Sequence, residues 1–372
     1  MIEIQWLKNF VEKIRIVFNF NKINSPSLKI KNEAQYVGTQ IGQIVIDQGL
    51  SYSDAKDLIV SVVDQKLIEF KDEAVATFNE RTNEFKELLS EKIKDLSKQD
   101  MGKLREPDTQ IALLEAAKIS GRKPNAELRN LLANLVVSRI KNDKTDKEEL
   151  KNIVYNEAIS TVSKITTDQL KIITLCYLVR YTSYSGIVSW DTFKNYLNTH
   201  IKPFIHFKNT NAEFQHIEYA GCGSIGISSF NLASIYRQQY SFLFSSLIEK
   251  ARIEDINLSE EIKNELLRFD TTKDKYYVRI KNKEELEKYF KNKNLEVAKI
   301  SQFIPLYEQN IKNDDEVKKK LEEETEIGKE LSGLWEKSNI SHLSLTSVGI
   351  AIATSYFEQI VGEKIDIDLW IN

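Results

Sequence analysis

Five prolines punctuate this chain, at Pro26, Pro107, Pro124, Pro203 and Pro305, and the stretches between them are rich in Glu, Lys, Leu and Ile. Proline removes a helical N–H and clashes with the preceding turn, so its scarcity leaves long segments free to stay helical. The expected fold class is therefore mainly α: a helical bundle or stack, with an N-terminal β segment and a small C-terminal α+β unit of winged-helix-like character. At 372 residues the chain is long enough for two or three packed units. The sequence divides into residues 1–48, an amphipathic helix and a glycine-containing β segment; 49–250, a helical core; and 251–372, the α+β unit.

Within residues 2–18, Trp6, Leu7, Phe10, Val11, Ile14, Val17 and Phe18 recur at helical spacing and form one apolar stripe. That stripe reads either as a helix docked on its own core or as an interfacial helix touching a membrane or a partner. Residues 35–46 change style and alternate with β-branched side chains, a strand pattern that carries Gly38 and Gly42 on one face. A strand ahead of a helical body needs a partner edge. Pairing with another copy through Tyr36, Ile41, Ile44 and Ile46 supplies one, and a local hairpin with residues 28–31 is the alternative.

Ser51 and Asp54 then form a capping-box arrangement. Leu67, Phe70, Ala74, Phe78, Phe85, Leu89, Ile93 and Leu96 follow in steps whose mean is close to 3.6. A straight helix running to about Lys98 would extend ~70 Å. From Pro107 to about Phe207 the pattern gives five helices, opened by Asp108 or Thr109, Pro124-Asn125, Lys144-Thr145-Asp146, Thr167-Asp168, and Ser189 or Asp191. The apolar run from Ile172 to Val179 lies between Lys171 and Arg180. It falls short of the ~18 residues of a spanning helix and reads as a buried one. Helices resume after Phe230 through Lys250. Lys275 to Ile280 reads as a strand, Asn282 caps a short basic helix, and one charged helix covers Asp314 to Lys337. The run Leu345-Thr346-Ser347-Val348-Gly349 resembles the opening of the last helix after a winged-helix wing, and that helix continues to Ile360.

Tyr219-Ala220-Gly221-Cys222-Gly223-Ser224-Ile225-Gly226 gathers three of the thirteen glycines and one of the two cysteines. Gly221, Gly223 and Gly226 match the spacing of a dinucleotide-binding turn and are candidate ligand-binding residues. That turn needs a strand before it and a βαβ unit around it, whereas Phe214 and Ile217 precede it at helical spacing. A nucleophile elbow around Ser224 lacks its first glycine, because Cys222 stands there. Cys222 as nucleophile with His216 or His206 as base, both near it in sequence, completes the catalytic candidates. The alternative is a tight buried turn in which Cys222 acts as a small apolar residue.

His200, His206, His216 and His342 show no metal-ligand spacing, and neither a metal nor a cofactor is expected. Between Lys273 and Lys293 eight cations stand against four acids, leaving +4, with Tyr276, Tyr277, Tyr289 and Phe290 interleaved. Lys275, Arg279, Lys281 and Lys283 are the candidate nucleic-acid contacts there, and a solvated lysine-rich face is the alternative. The overall charge of −3 gives no general drive toward nucleic acid or anionic membrane. Sparing use of cysteine fits a reducing cytoplasm.

Taken together, Gly49-Leu50-Ser51-Tyr52-Ser53-Asp54-Ala55 and the block from Glu218 to Gly226 resemble a poorly characterised bacterial family, over about residues 35–250. The resemblance implies an association with mobile elements and phage-defence neighbourhoods and carries no catalytic residues across. The expected function is an oligomerising sensor or scaffold in anti-phage defence, triggered by a phage or host protein and acting through assembly. The alternatives are an effector enzyme centred on Cys222 and Ser224 acting on NAD or nucleotides, a nucleic-acid-binding module, and membrane contact through residues 2–18.

Overall fold

The computed structural model describes residues 52–141, 147–271, 273–280 and 283–365, and the protein is mainly helical across them. The expectations for residues 2–18 and 35–46, including Tyr36, Ile41, Ile44 and Ile46, lie outside the described residues, as does Lys281. Two compact units divide the chain, residues 1–84 and residues 85–372.

The elements, in order, begin with α1 (Tyr52–Lys92), α2 (Lys98–Lys103), α3 (Pro107–Arg122), α4 (Ala126–Ile140), α5 (Lys147–Val162) and α6 (Thr167–Arg180). Next come α7 (Trp190–Tyr196), α8 (Asn211–Tyr219), β1 (Gly223–Ile225), α9 (Leu232–Gln239) and β2 (Ile248–Glu249). Then follow α10 (Lys250–Glu254), α11 (Glu260–Leu266), β3 (Leu267–Asp270), β4 (Lys275–Val278), α12 (Lys283–Asn292) and α13 (Val297–Gln309). The last are α14 (Asp314–Glu324), α15 (Glu326–Lys337), β5 (Leu343–Leu345) and α16 (Ser347–Val361).

Along α1, each of residues 71–76 faces solvent, and Thr82 and Phe85 are buried. The apolar periodicity therefore runs on past the covered part of the helix, since Ala74 on the stripe is exposed and Phe78 only half-buried.

In the second unit, α6 is the centre. Every residue from Ile172 to Val179 is buried, which is how a helix apolar on all sides satisfies itself without a membrane. No described helix is long and apolar enough to cross one. Around α6 pack α16, α8 and α9, while α4 packs on α3, α5 and α16. The fit is helped by small side chains, with Ala351 and Ala353 of α16 and Ala133 of α4 all fully buried.

Local chemistry sets most helix starts. The Asn125 side chain accepts from Glu127 N at 2.8 Å, and Thr166 and Gln169 form a capping box, as do Ser189 and Thr192. Helix α3 departs from expectation. Pro107 occupies its first turn behind Glu106, which makes no side-chain cap. Asp108 and Thr109 are engaged elsewhere: the buried Arg139 guanidinium donates to both, and Asn156 donates to Asp108 at 3.2 Å. A long-range charged network has claimed the side chains that would otherwise cap the helix.

The expected single helix from Asp314 to Lys337 is two. Thr325 is extended between them and its hydroxyl bonds both ways, donating to Leu321 O at 2.8 Å and accepting from Gly328 N at 3.0 Å. Folding α14 and α15 against each other buries Val317, Leu321, Ile327 and Leu331, which one straight helix would leave without a shared core.

The expected unit 251–372 is also divided differently. An antiparallel sheet ordered β2-β4-β3 has its own apolar cluster, including Ile248, Leu267, Val278, Leu286, Phe290 and Phe303. The last segment leaves that cluster. β5 pairs antiparallel with β1, Ser224 opposite Ser344, and α16 enters the helical core.

Because Ile352 of α16 is fully buried, Ile352→Ala is expected to lower stability by about 2–5 kcal/mol in chemical denaturation. Ile360→Ala, on a side chain 40 % exposed, should stay within about 0.5 kcal/mol of the parent.

Candidate functional site

The glycine block is a junction between three elements. Helix α8 ends at Tyr219, and the chain reverses through Gly221 at φ +80°, a left-handed value that a side chain strains. Cys222 N donates back to Ile217 O at 3.1 Å, and β1 begins one residue later. The start of α16 closes on the turn from the far end of the chain. Thr346 N donates to Cys222 O at 3.0 Å, and the Thr346 hydroxyl donates to Gly221 O at 2.7 Å while accepting from Gly349 N at 3.2 Å. A Cβ at Gly349 would collide with the Cys222 carbonyl, so the approach needs glycine there.

This geometry settles what each candidate touches. Cys222 is fully buried, and burial pushes its thiol up to about 12. Its environment keeps it protonated at neutral pH, the opposite of an activated thiolate. His216 Nδ1 lies 3.0 Å from Gln169 Nε2 and 3.2 Å from Gln169 Oε1, and its ring is tilted against Tyr219. Its described contacts run to those residues and not to Cys222. Ser224 is exposed and opposite Ser344 in the strand pair. Gly223 is packed where a Cβ would meet Ser344 O at 2.8 Å, and Gly226 N donates to His342 O at 2.9 Å. The glycines therefore spend their freedom on packing and strand pairing. Only Gly221, Ser224 and Gly226 of the block's glycine and serine residues face solvent.

The histidines are spread out. His200 stacks on Tyr196 and Phe357 with Nε2 at 3.1 Å from Glu363, while His206 Nε2 lies 3.9 Å from Glu330. Among the described residues, His, Cys, Asp and Glu form no group that could hold a metal ion.

The basic segment is interleaved with carboxylates. Lys275 pairs with Glu249 at 2.5 Å, Lys283 with Glu308 at 2.6 Å and Lys288 with Glu284 at 2.7 Å. Lys293 sits between Glu261 and Glu265, and Arg279 donates to Asn264 O at 3.0 Å. A phosphate arriving here would have to displace a carboxylate from Lys275, Lys283, Lys288 or Lys293. The interleaved rings are also engaged, with Tyr277 donating to Asp270 and Tyr289 to Glu265.

The one residue of wider reach that sequence reading left aside is Arg180. It ends the buried helix α6, donates to Leu343 O and lies within 3.5 Å of the Ser344 hydroxyl. Its guanidinium lies 3.4 Å over the Phe230 ring and 5.4 Å from Tyr181. Beside it opens a cleft of about 960 Å³, lined by the helical core on one side and by α12 and α13 on the other. Its sequence signal is an arginine closing an otherwise apolar run, followed at once by tyrosine. Phe230 also borders a second cavity of about 350 Å³, against α14 and α15.

With Cys222 fully buried and Cys176 likewise buried and pushed up to about 12, neither thiol should react in the native protein. Titration with a thiol reagent at mildly alkaline pH is expected to count both cysteines only after denaturant is added. Rapid labelling of Cys222 in the folded chain would contradict the junction reading.

No curated protein and no solved structure matches the chain. A protein-family model described as ":-like" matches residues 49–371, the glycine block and α16 included. That match spans well over half of the sequence, and the protein belongs to the ":-like" family.

Proposed function

We propose that this protein is an oligomerising sensor or scaffold in bacterial anti-phage defence, working in the cytoplasm and acting through assembly with further copies of itself. The observation that carries the reading is α1. It is 41 residues long, and its apolar stripe passes Ala74 and Phe78 while the surface around residues 71–76 stays exposed. An isolated helix of this composition gains little from its own ladder and is held mainly by burying its apolar face. A second copy offering the same stripe supplies that burial with self-complementary geometry. The defence context rests on the resemblance of the Gly-Leu-Ser-Tyr start and the glycine block to proteins of such neighbourhoods. A catalytic role for Cys222 draws no support from its raised thiol.

Light scattering on the eluting full-length protein tests assembly. The expected result is a mass of at least two chains, reduced toward one by Ala74→Glu, a change at an exposed position of the stripe that leaves the folded core alone. Plaque counts in cells carrying the protein should then rise for Ala74→Glu relative to the parent. A single-chain mass at every concentration, or a variant that assembles and protects unchanged, would sink the proposal.

A further inference from the structure

The cleft beside Arg180 has walls of opposite charge. The core wall carries Arg180 and Arg237, and the other carries Glu284, Glu287 and Glu308 with Lys283 among them. These charges are unequally committed. Arg237 pairs with Asp314 at 3.2 Å, Lys283 is drawn to Glu308, and Glu284 to Lys288. Glu287 is left as the loosest carboxylate, 3.9 Å from Lys283. Arg180 is half-buried with its planar face held on Phe230, so its donors are fixed in direction at little further entropic cost.

Gln239 also lines the cleft. Its Nε2 donates to Val179 O at 3.0 Å, which fixes the amide, and its buried Oε1 has no hydrogen-bond partner among the described residues. A buried carbonyl oxygen without a donor costs about 1–3 kcal/mol. The volume stands at the upper end of the ~300–1,000 Å³ usual for small-molecule sites. It is larger than a single amino acid requires.

We propose that this cleft binds a short zwitterionic peptide, with its carboxylate at Arg180 and its ammonium at Glu287. One cationic and one anionic wall reject a ligand of a single sign, because either wall would then repel it. A nucleotide places all its charge on one end and leaves the glutamates facing phosphate or base. The assignment stands on the cleft alone and does not depend on assembly through α1.

The experiment is calorimetric titration of the full-length protein with trialanine, its N-acetyl form, its C-terminal amide and ADP. Free trialanine is expected to bind and to raise the melting temperature. Blocking either terminus should weaken binding roughly tenfold, the scale of one charge-assisted contact. Glu287→Gln, at an exposed position, should weaken the free peptide by a similar factor with an unchanged melting temperature for the unliganded protein, and should leave the already weak N-acetyl form unaffected. Absence of heat and of any melting shift at millimolar trialanine overturns the proposal. So does binding that ignores both blocked termini, or binding of ADP without trialanine.

Discussion

The contact between the first turn of α16 and the Cys222 carbonyl is the constraint on which the second unit depends. Two segments more than a hundred residues apart meet there backbone to backbone, with Thr346 binding both Gly221 and Cys222 and Gly349 giving the clearance. Strand pairing of β1 with β5 extends the same contact by three residues, and Arg180 and Cys176 donate to the Leu343 carbonyl on the strand's other side. Once this is made, α16 has only one direction to run, along α6. A tight turn that looks like a ligand loop is thereby accounted for as the seat of a helix.

Helix starts were legible because their chemistry is local. Asn125, Ser189 and Thr346 each sit within three residues of the amide they cap. The buried nature of α6 was legible too, since an apolar run that short between two cations has few other uses. The destination of α16 was not, because nothing in a helix's own periodicity names the partner it packs on. Asp108 shows the same limit from the other side. Its cap position is readable, but the arginine that takes it is thirty-one residues away. Within the glycine block, spacing suggested phosphate chemistry, and only the opposing backbone at Ser344 and Cys222 reveals what the missing side chains make room for.

Charge tells a related story. The lysine-rich stretch counted as a surplus of +4 along the sequence, yet α11, β2 and α13 bring Glu261, Glu265, Glu249 and Glu308 onto it. Surface pairs like these contribute little stability each. Their effect is on recognition, because they cancel the field that would draw a polyanion. Across the Arg180 cleft, Arg180 on one wall and Glu287 on the other lie outside those close pairs.

The position of α16 has a consequence for how the chain is made. Its neighbours α4, α5 and α6 end by residue 180, but the helix that covers them is completed only at Val361. During synthesis some 180 further residues leave the ribosome while that apolar surface waits uncovered, an interval of order ten seconds at about 5–20 residues per second. Contacts of such sequence separation also slow closure in the finished chain. Until that final helix arrives, the nascent chain carries the apolar face that α16 will cover, and the core can close only after residue 361 has been made.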